Sequence, residues 1–157
     1  MDEDHRKVLV GINGFGTIGR LVYRLLPSYE NIKIVAINDL ASKESLEYLL
    51  RHDTVHGARP DLSLKEVEVT NHSEVKDIDW GKCGVDLVID STPHLRSYEQ
   101  LSQHLQQGAR YVLRSSPLKG NKEQMQTIVL GVNDKELDAE RYKVFGMASC
   151  TTNCLAP

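Results

Sequence analysis

Two stretches of this sequence hold residues whose types and spacing can do chemistry. The first is Ser149-Cys150-Thr151-Thr152-Asn153, a cysteine framed by small polar residues. A thiol reacts as its thiolate, and the N-terminus of a helix lowers a thiol's pKa. Cys150 follows the apolar run YKVFGM (142–147) and opens an apparent helix. That places it at the carboxyl end of a strand, where open α/β sheets bind ligands. The hydroxyls of Ser149 and Thr151 suit a substrate phosphate or a developing oxyanion. Cys154, four residues on, reads as a small buried apolar residue.

The second stretch is Gly14-Phe15-Gly16-Thr17-Ile18-Gly19. A G-x-G-x-x-G pattern carries meaning only between a strand and a helix, with an acidic residue about 20 positions on. Here KVLV precedes it, RLVYRLL follows it, and Asp39 closes the next apolar run. Gly14 then permits the tight turn, Gly16 lets the backbone approach a pyrophosphate, and Gly19 lets helix and strand pack closely. The helix N-terminus offers free N–H groups to phosphates. A carboxylate at Asp39 accepts from ribose hydroxyls and repels a 2′-phosphate, so NAD is expected over NADP.

The elements that must position these residues alternate. KVLVGI (7–12), IKIVAIN (32–38), VDLVIDS (85–91), RYVLRS (110–115), TIVLGV (127–132) and YKVFGM (142–147) read as strands. TIGRLVYRLL (17–26), SKESLEYLLRH (42–52) and LRSYEQLSQHLQQG (95–108) read as helices, with Ser42 an N-cap and Gly108 a C-cap. LSLKEVEVT alternates and reads as an antiparallel-like insert whose Lys and Glu protect an edge. Strands alternating with helices predict a Rossmann-type α/β fold: a doubly wound, mostly parallel sheet with helices on both faces. No linker rich in Gly, Ser or Pro interrupts residues 1–157, so one domain is expected.

Bulk properties narrow the function classes. The chain has 157 residues, 40% hydrophobic and 26% charged, with net charge -3. That balance carries no footprint for nucleic acid or anionic membranes. The acidic start MDEDHRKVLVGI lacks the form of a signal peptide, and a cytoplasmic protein is expected. Cys83, Cys150 and Cys154 read as reduced thiols. His52 and His56 are spaced to share a helix face, but no third ligand follows, and no metal is expected. His5, His72, His94 and His104 read as surface residues, and Trp80 as packing.

VGINGFGTIGR, AINDL, LRHDTVHG, DWG, DST, LGVN and ASCTTNCLAP occur in the order and spacing of phosphorylating glyceraldehyde-3-phosphate dehydrogenases. Nearly the whole chain resembles the N-terminal NAD-binding domain of that family. The resemblance implies that Gly14, Phe15, Gly16, Thr17, Ile18 and Gly19 line the pyrophosphate and that Asp39 holds the adenosine ribose. It places Thr92 and Ser115 near the nicotinamide half. It implies Cys150 as the nucleophile on glyceraldehyde 3-phosphate, a thioester, and release of 1,3-bisphosphoglycerate by inorganic phosphate, with Ser149 and Thr151 holding a phosphate group. The parent enzyme would be a cytoplasmic homotetramer whose second domain, with the general base, lies outside this chain. Two residues depart from the family pattern: Thr17 stands where Arg is usual, and Pro93 where Gly is usual. The alternative is a diverged nucleotide-binding or regulatory module without dehydrogenase activity.

Overall fold

Near-continuous apolar runs become strands when both faces of the sheet are covered. The computed structural model describes residues 6–120 and 123–157. Its strands are β1 (Val8–Asn13), β2 (Ile32–Asn38), β3 (Glu68–Thr70), β4 (Leu87–Asp90), β5 (Tyr111–Arg114), β6 (Met125–Thr127) and β7 (Val144–Gly146). They form one sheet in the order β3-β2-β1-β4-β5-β7-β6, and every neighbouring pair is parallel. The order turns back between β1 and β4, which is where such sheets open a crevice for ligands. The Rossmann-type expectation holds, with a sheet that is parallel throughout.

Helices α1 (Thr17–Leu25) and α2 (Lys43–Arg51) cover one face beside β1, β2 and β3. Val10, Ile12, Ile37, Leu46 and Leu50 form the core there. Ser42 caps α2, accepting from Ser45 N–H at 3.3 Å. Helices α3 (Tyr98–Leu101) and α4 (Gln103–Gln106) cover the other face, over Val88, Val112 and Val144 together with Trp80. Over β4, β5 and β7 the first face carries no helix among the described residues. A hollow of about 610 Å³ lies there, lined by Leu87, Tyr111, Leu113, Ile128, Phe145 and Met147. No described helix is long and apolar enough to cross a membrane.

Three sequence expectations give way to side-chain competition. LSLKEVEVT forms no antiparallel insert, and only Glu68–Thr70 enters the sheet, parallel to β2. Leu64 and Val67 are drawn into the core beside α2 instead. TIVLGV leaves the sheet after Thr127 and the Ile128 N–H, which donates to Gly146 O at 2.8 Å, because Asn133 accepts from Val129 N–H at 2.7 Å and donates to Thr127 O at 3.0 Å. That side chain offers the backbone a turn in place of a ladder. The single helix expected over 95–108 is two short ones. Ser102 sits at their junction and donates from its hydroxyl back to Glu99 O at 3.3 Å, a bond that bends helices.

Candidate functional site

The glycine loop shows three separate steric reasons for its three glycines. Gly14 has φ +87°, and a Cβ there would stand 2.9 Å from the Thr92 amide nitrogen. A Cβ on Gly19 would stand 2.2 Å from Gly14 O, so α1 rests directly on the turn. At Gly16 a Cβ would meet nothing within 4 Å. Neither fold nor packing demands glycine at position 16, which leaves room for a group approaching from outside. Gly16 is also the N-cap of α1 and brings no capping side chain. The first backbone bond of the helix is Arg20 N–H to Gly16 O, leaving the N–H groups of 17, 18 and 19 directed out of the helix end. Thr17 and Ile18 are exposed there. Phe15, expected among the cofactor residues, instead puts its ring in the core, edge-on to Tyr23. Only its backbone faces the loop.

Asp39 follows β2 and is tied to the same loop. Its carboxylate accepts from Phe15 N–H at 2.7 Å and from Ala41 N–H at 3.0 Å. It lines a cleft of about 390 Å³ together with Gly14, Gly16, His72, Thr92 and His94. Thr92 is turned partly inward, since its N–H and hydroxyl both donate to Asp90 Oδ1, at 3.2 and 3.0 Å. Ser115 follows β5 with its N–H on Asp90 O at 3.0 Å.

Beneath the cleft runs a row of polar residues that close four neighbouring strands. Asn38, Asn13, Asp90 and Arg114 are in register across β2, β1, β4 and β5. They are 4%, 4%, 0% and 2% exposed. Asp90 gathers the bonds: Oδ1 also takes Arg114 Nη1, and Oδ2 takes Asn13 Nδ2 at 2.8 Å and His104 Nε2 at 3.3 Å. Trp80 Nε1–H donates to His104 Nδ1 at 2.9 Å, so the ring proton of His104 sits on Nε2 and points at Asp90. His104 is therefore buried, not the surface residue its scattered position suggested, and Trp80 does more than pack. A buried charge needs a partner and further hydrogen bonds, and this row supplies both. None of the four was singled out from the sequence. The signal was present: each is a polar residue ending an apolar strand at the sheet's ligand-binding edge.

The cysteine loop is built differently. Helix α5 (Cys150–Leu155) begins at Cys150, with Ser149 as N-cap accepting from Thr152 N–H at 3.0 Å. The Ser149 hydroxyl also contacts the Thr151 and Thr152 hydroxyls, at 2.9 and 2.7 Å. Asn153 Nδ2 donates back to Ser149 O at 2.9 Å and to Met147 O at 2.5 Å. Ala148 enters the turn at φ +58°, among the described residues the one non-glycine in the left-handed region. Such strain recurs at functional sites. Cys150 is exposed, and among the described residues no hydrogen bond joins its sulfur to a base. Cys154, expected to be buried, is exposed as well, because Leu155 and the rest of α5 pack on little. Cys83 is the packed thiol, lying against the Trp80 cluster, and desolvation pushes its pKa up.

Comparison with known proteins meets this geometry from outside. Residues 8–98 match the family described as the NAD binding domain of glyceraldehyde 3-phosphate dehydrogenase. The chain belongs to this family. The match spans the glycine loop, Asp39 and the Thr92 loop, and the cofactor of the domain is NAD. Glyceraldehyde-3-phosphate dehydrogenase of Geobacillus stearothermophilus is 41% identical over 96% of the chain. That of Mycoplasma pneumoniae is 42% identical over 97%. The chain spans about half the length of these curated relatives, 47% of each. The residues fit the cofactor: open space at Gly16, an uncapped helix N-terminus and a carboxylate beside them are what a pyrophosphate and a ribose require.

Proposed function

We propose that this chain is the cofactor-binding and nucleophile-bearing portion of a glyceraldehyde-3-phosphate dehydrogenase. The observation that carries the reading is Asp39 bonded to the glycine loop beside an unobstructed Gly16. Gly14, Gly16, Thr17, Ile18 and Gly19 would receive the pyrophosphate, Asp39 the adenosine ribose, and Thr92 and Ser115 the nicotinamide half. NAD, when bound, accepts a hydride. Cys150 Sγ would attack the aldehyde carbon and carry the acyl group as a thioester until inorganic phosphate displaces it as 1,3-bisphosphoglycerate. Ser149 and Thr151 would lie against a phosphate. The parent enzyme would be a cytoplasmic homotetramer. The regulatory-module alternative loses ground, since relatives named as the enzyme align over 96% of the chain, a span that takes in a cysteine a pure binding module has no need of.

A nucleophile needs a base or a lowered pKa, and Cys150 has no base bonded to it among the described residues. The 157-residue chain should therefore bind the cofactor and not turn over. Calorimetric titration should show saturable binding of NAD and weaker binding of NADP. Mixing the chain with glyceraldehyde 3-phosphate, phosphate and NAD should yield no NADH. Equal affinity for both dinucleotides would refute the role given to Asp39, and turnover would refute the need for a base from elsewhere.

A further inference from the structure

The polar row under the cleft has a direction. Thr70 Oγ1–H donates to Asn38 Oδ1 at 2.9 Å, and Asn38 Nδ2–H to Asn13 Oδ1 at 3.0 Å. Asn13 Nδ2–H donates to Asp90 Oδ2, as do His104 on the same oxygen and Arg114 and Thr92 on the other. Every bond points toward one carboxylate. Side-chain amides can be drawn either way round, and their hydrogen-bond networks decide. Here both ends of the row are unambiguous. A carboxylate only accepts. At the far end, His72 N–H, which only donates, lies 2.9 Å from Asn38 Oδ1, and His72 O accepts from Asn38 Nδ2 at 3.0 Å. The two ends demand the same orientation of both amides.

We propose that the Asp90 carboxylate positions the His72 wall of the cleft from across the sheet, by setting the orientation of the Asn13 and Asn38 amides. Asp90 also holds Thr92, on the opposite wall, through that residue's N–H and hydroxyl. One buried group thus fixes both sides of the cleft. An amide at position 90 would keep its oxygen on Arg114 and the Thr92 N–H, which can only donate, and so set its NH2 against Asn13 Nδ2 and His104 Nε2–H. Relieving the first clash turns Asn13 over, which sets its NH2 against that of Asn38. Relieving that turns Asn38 over, and its NH2 then faces His72 N–H. The clamp on His72 is lost two strands away from the change. Asp90 is a positioning residue in this scheme, since it does not line the cleft itself. Its effect on cofactor affinity rests on the NAD reading above, whereas its effect on His72 does not.

The test is amide hydrogen exchange followed by NMR, beside titration with NAD. In the unaltered protein the His72 amide should be protected. In Asp90→Asn it should exchange about tenfold faster, the scale of one lost hydrogen bond, with NAD affinity reduced by a similar factor. The Gly14 amide, bonded to the backbone Asn38 O at 2.8 Å, should keep its protection. Thr92→Val removes a donor from the same carboxylate without reversing the row, so His72 should stay protected. If Asp90→Asn does not fold, the unaltered protein is read directly: NMR couplings across hydrogen bonds should join Asn13 Nδ2 to the Asp90 carboxyl carbon, Asn38 Nδ2 to the Asn13 side-chain carbonyl carbon and the His72 amide nitrogen to that of Asn38, and failure of any of the three overturns the proposal. An unprotected His72 in the unaltered protein overturns the proposal, as does unchanged His72 protection in a folded variant. So does equal loss of protection at His72 and Gly14, or in Thr92→Val. A His72 response without any NAD binding by the unaltered protein supports the amide scheme and removes the cofactor reading instead.

Discussion

The cofactor cleft and the cysteine loop both sit at the carboxyl edge of one sheet, yet they are held by bonds of different reach. Asn13 and Asp90, or Phe15 and Asp39, meet across 77 and 24 positions of sequence. The bonds around Cys150 span six positions or fewer. The cleft is shaped by the sheet and cannot move without it. The cysteine turn carries its own cap and its own strain, and needs little else to hold its form. Binding geometry is thus written into the core, while the Cys150 thiol is presented on a locally folded platform.

The glycine loop offers the sharpest way to break that contrast. Gly19→Ala drives a methyl into Gly14 O and should destabilise the fold by about 1–3 kcal/mol, the usual range for overpacking. Chemical denaturation would show it, together with loss of NAD binding. Gly16→Ala meets nothing, so its cost should not exceed about 1 kcal/mol, the preference for Gly over Ala at an N-cap, while NAD affinity falls. If both alanines act through stability alone, Gly16 is not a ligand position. On the other platform, Ser149→Ala removes the cap of α5 and should cost that turn about 1 kcal/mol. Protection of the Thr152 amide should drop and Cys150 alkylation should change rate, with the cleft's amides untouched. A response in the cleft would show that the two regions are coupled after all.

The smallest effect separates a third turn, at the surface, from both. Asp53 accepts from Val55 and His56 N–H at 2.9 and 2.8 Å, and these bonds lower its pKa from 3.8 to about 2. A depressed carboxylate stabilises above its unfolded pKa, and the contribution is lost as pH falls through the folded value. Between about pH 4 and 2 the amide shifts of Val55 and His56 should therefore move, before those of His72 or Thr152. Simultaneous movement would mean that acid acts on the fold as a whole.

What the sequence made legible follows the same division of reach. The βαβ alternation, the glycine loop, the Ser42 cap and the cysteine motif are all patterns within a few residues, and all were found. Asp90, Arg114, His104 and Asn38 escaped because their roles exist only once distant strands are in register. A histidine among glutamines in a helix gives no sign of the Trp80 and Asp90 waiting on either side of it. Asn133 and Ser102 escaped for the opposite reason. Their competition with backbone pairing is local, but apolar runs and helical spacing speak louder in a pattern. Motif membership likewise says nothing of which way a side chain turns, and the ring of Phe15 turns into the core.

The register between β1 and β2 shifts by one between Val10 and Gly11, where Val10 pairs with Ile34 but Gly11 with Ala36. The second strand therefore carries a spare residue. A one-residue slip in a sheet ordinarily exchanges its two faces, so the length of a core strand is close to inviolable. In β2 that rule is relaxed in one direction only. Shortening it by one position at Val35 closes the ladder and leaves Asn38 beside Asn13, whereas lengthening it, or shortening β1, throws the two strands out of phase. Insertions and deletions, not substitutions, are the changes this part of the molecule sorts most severely.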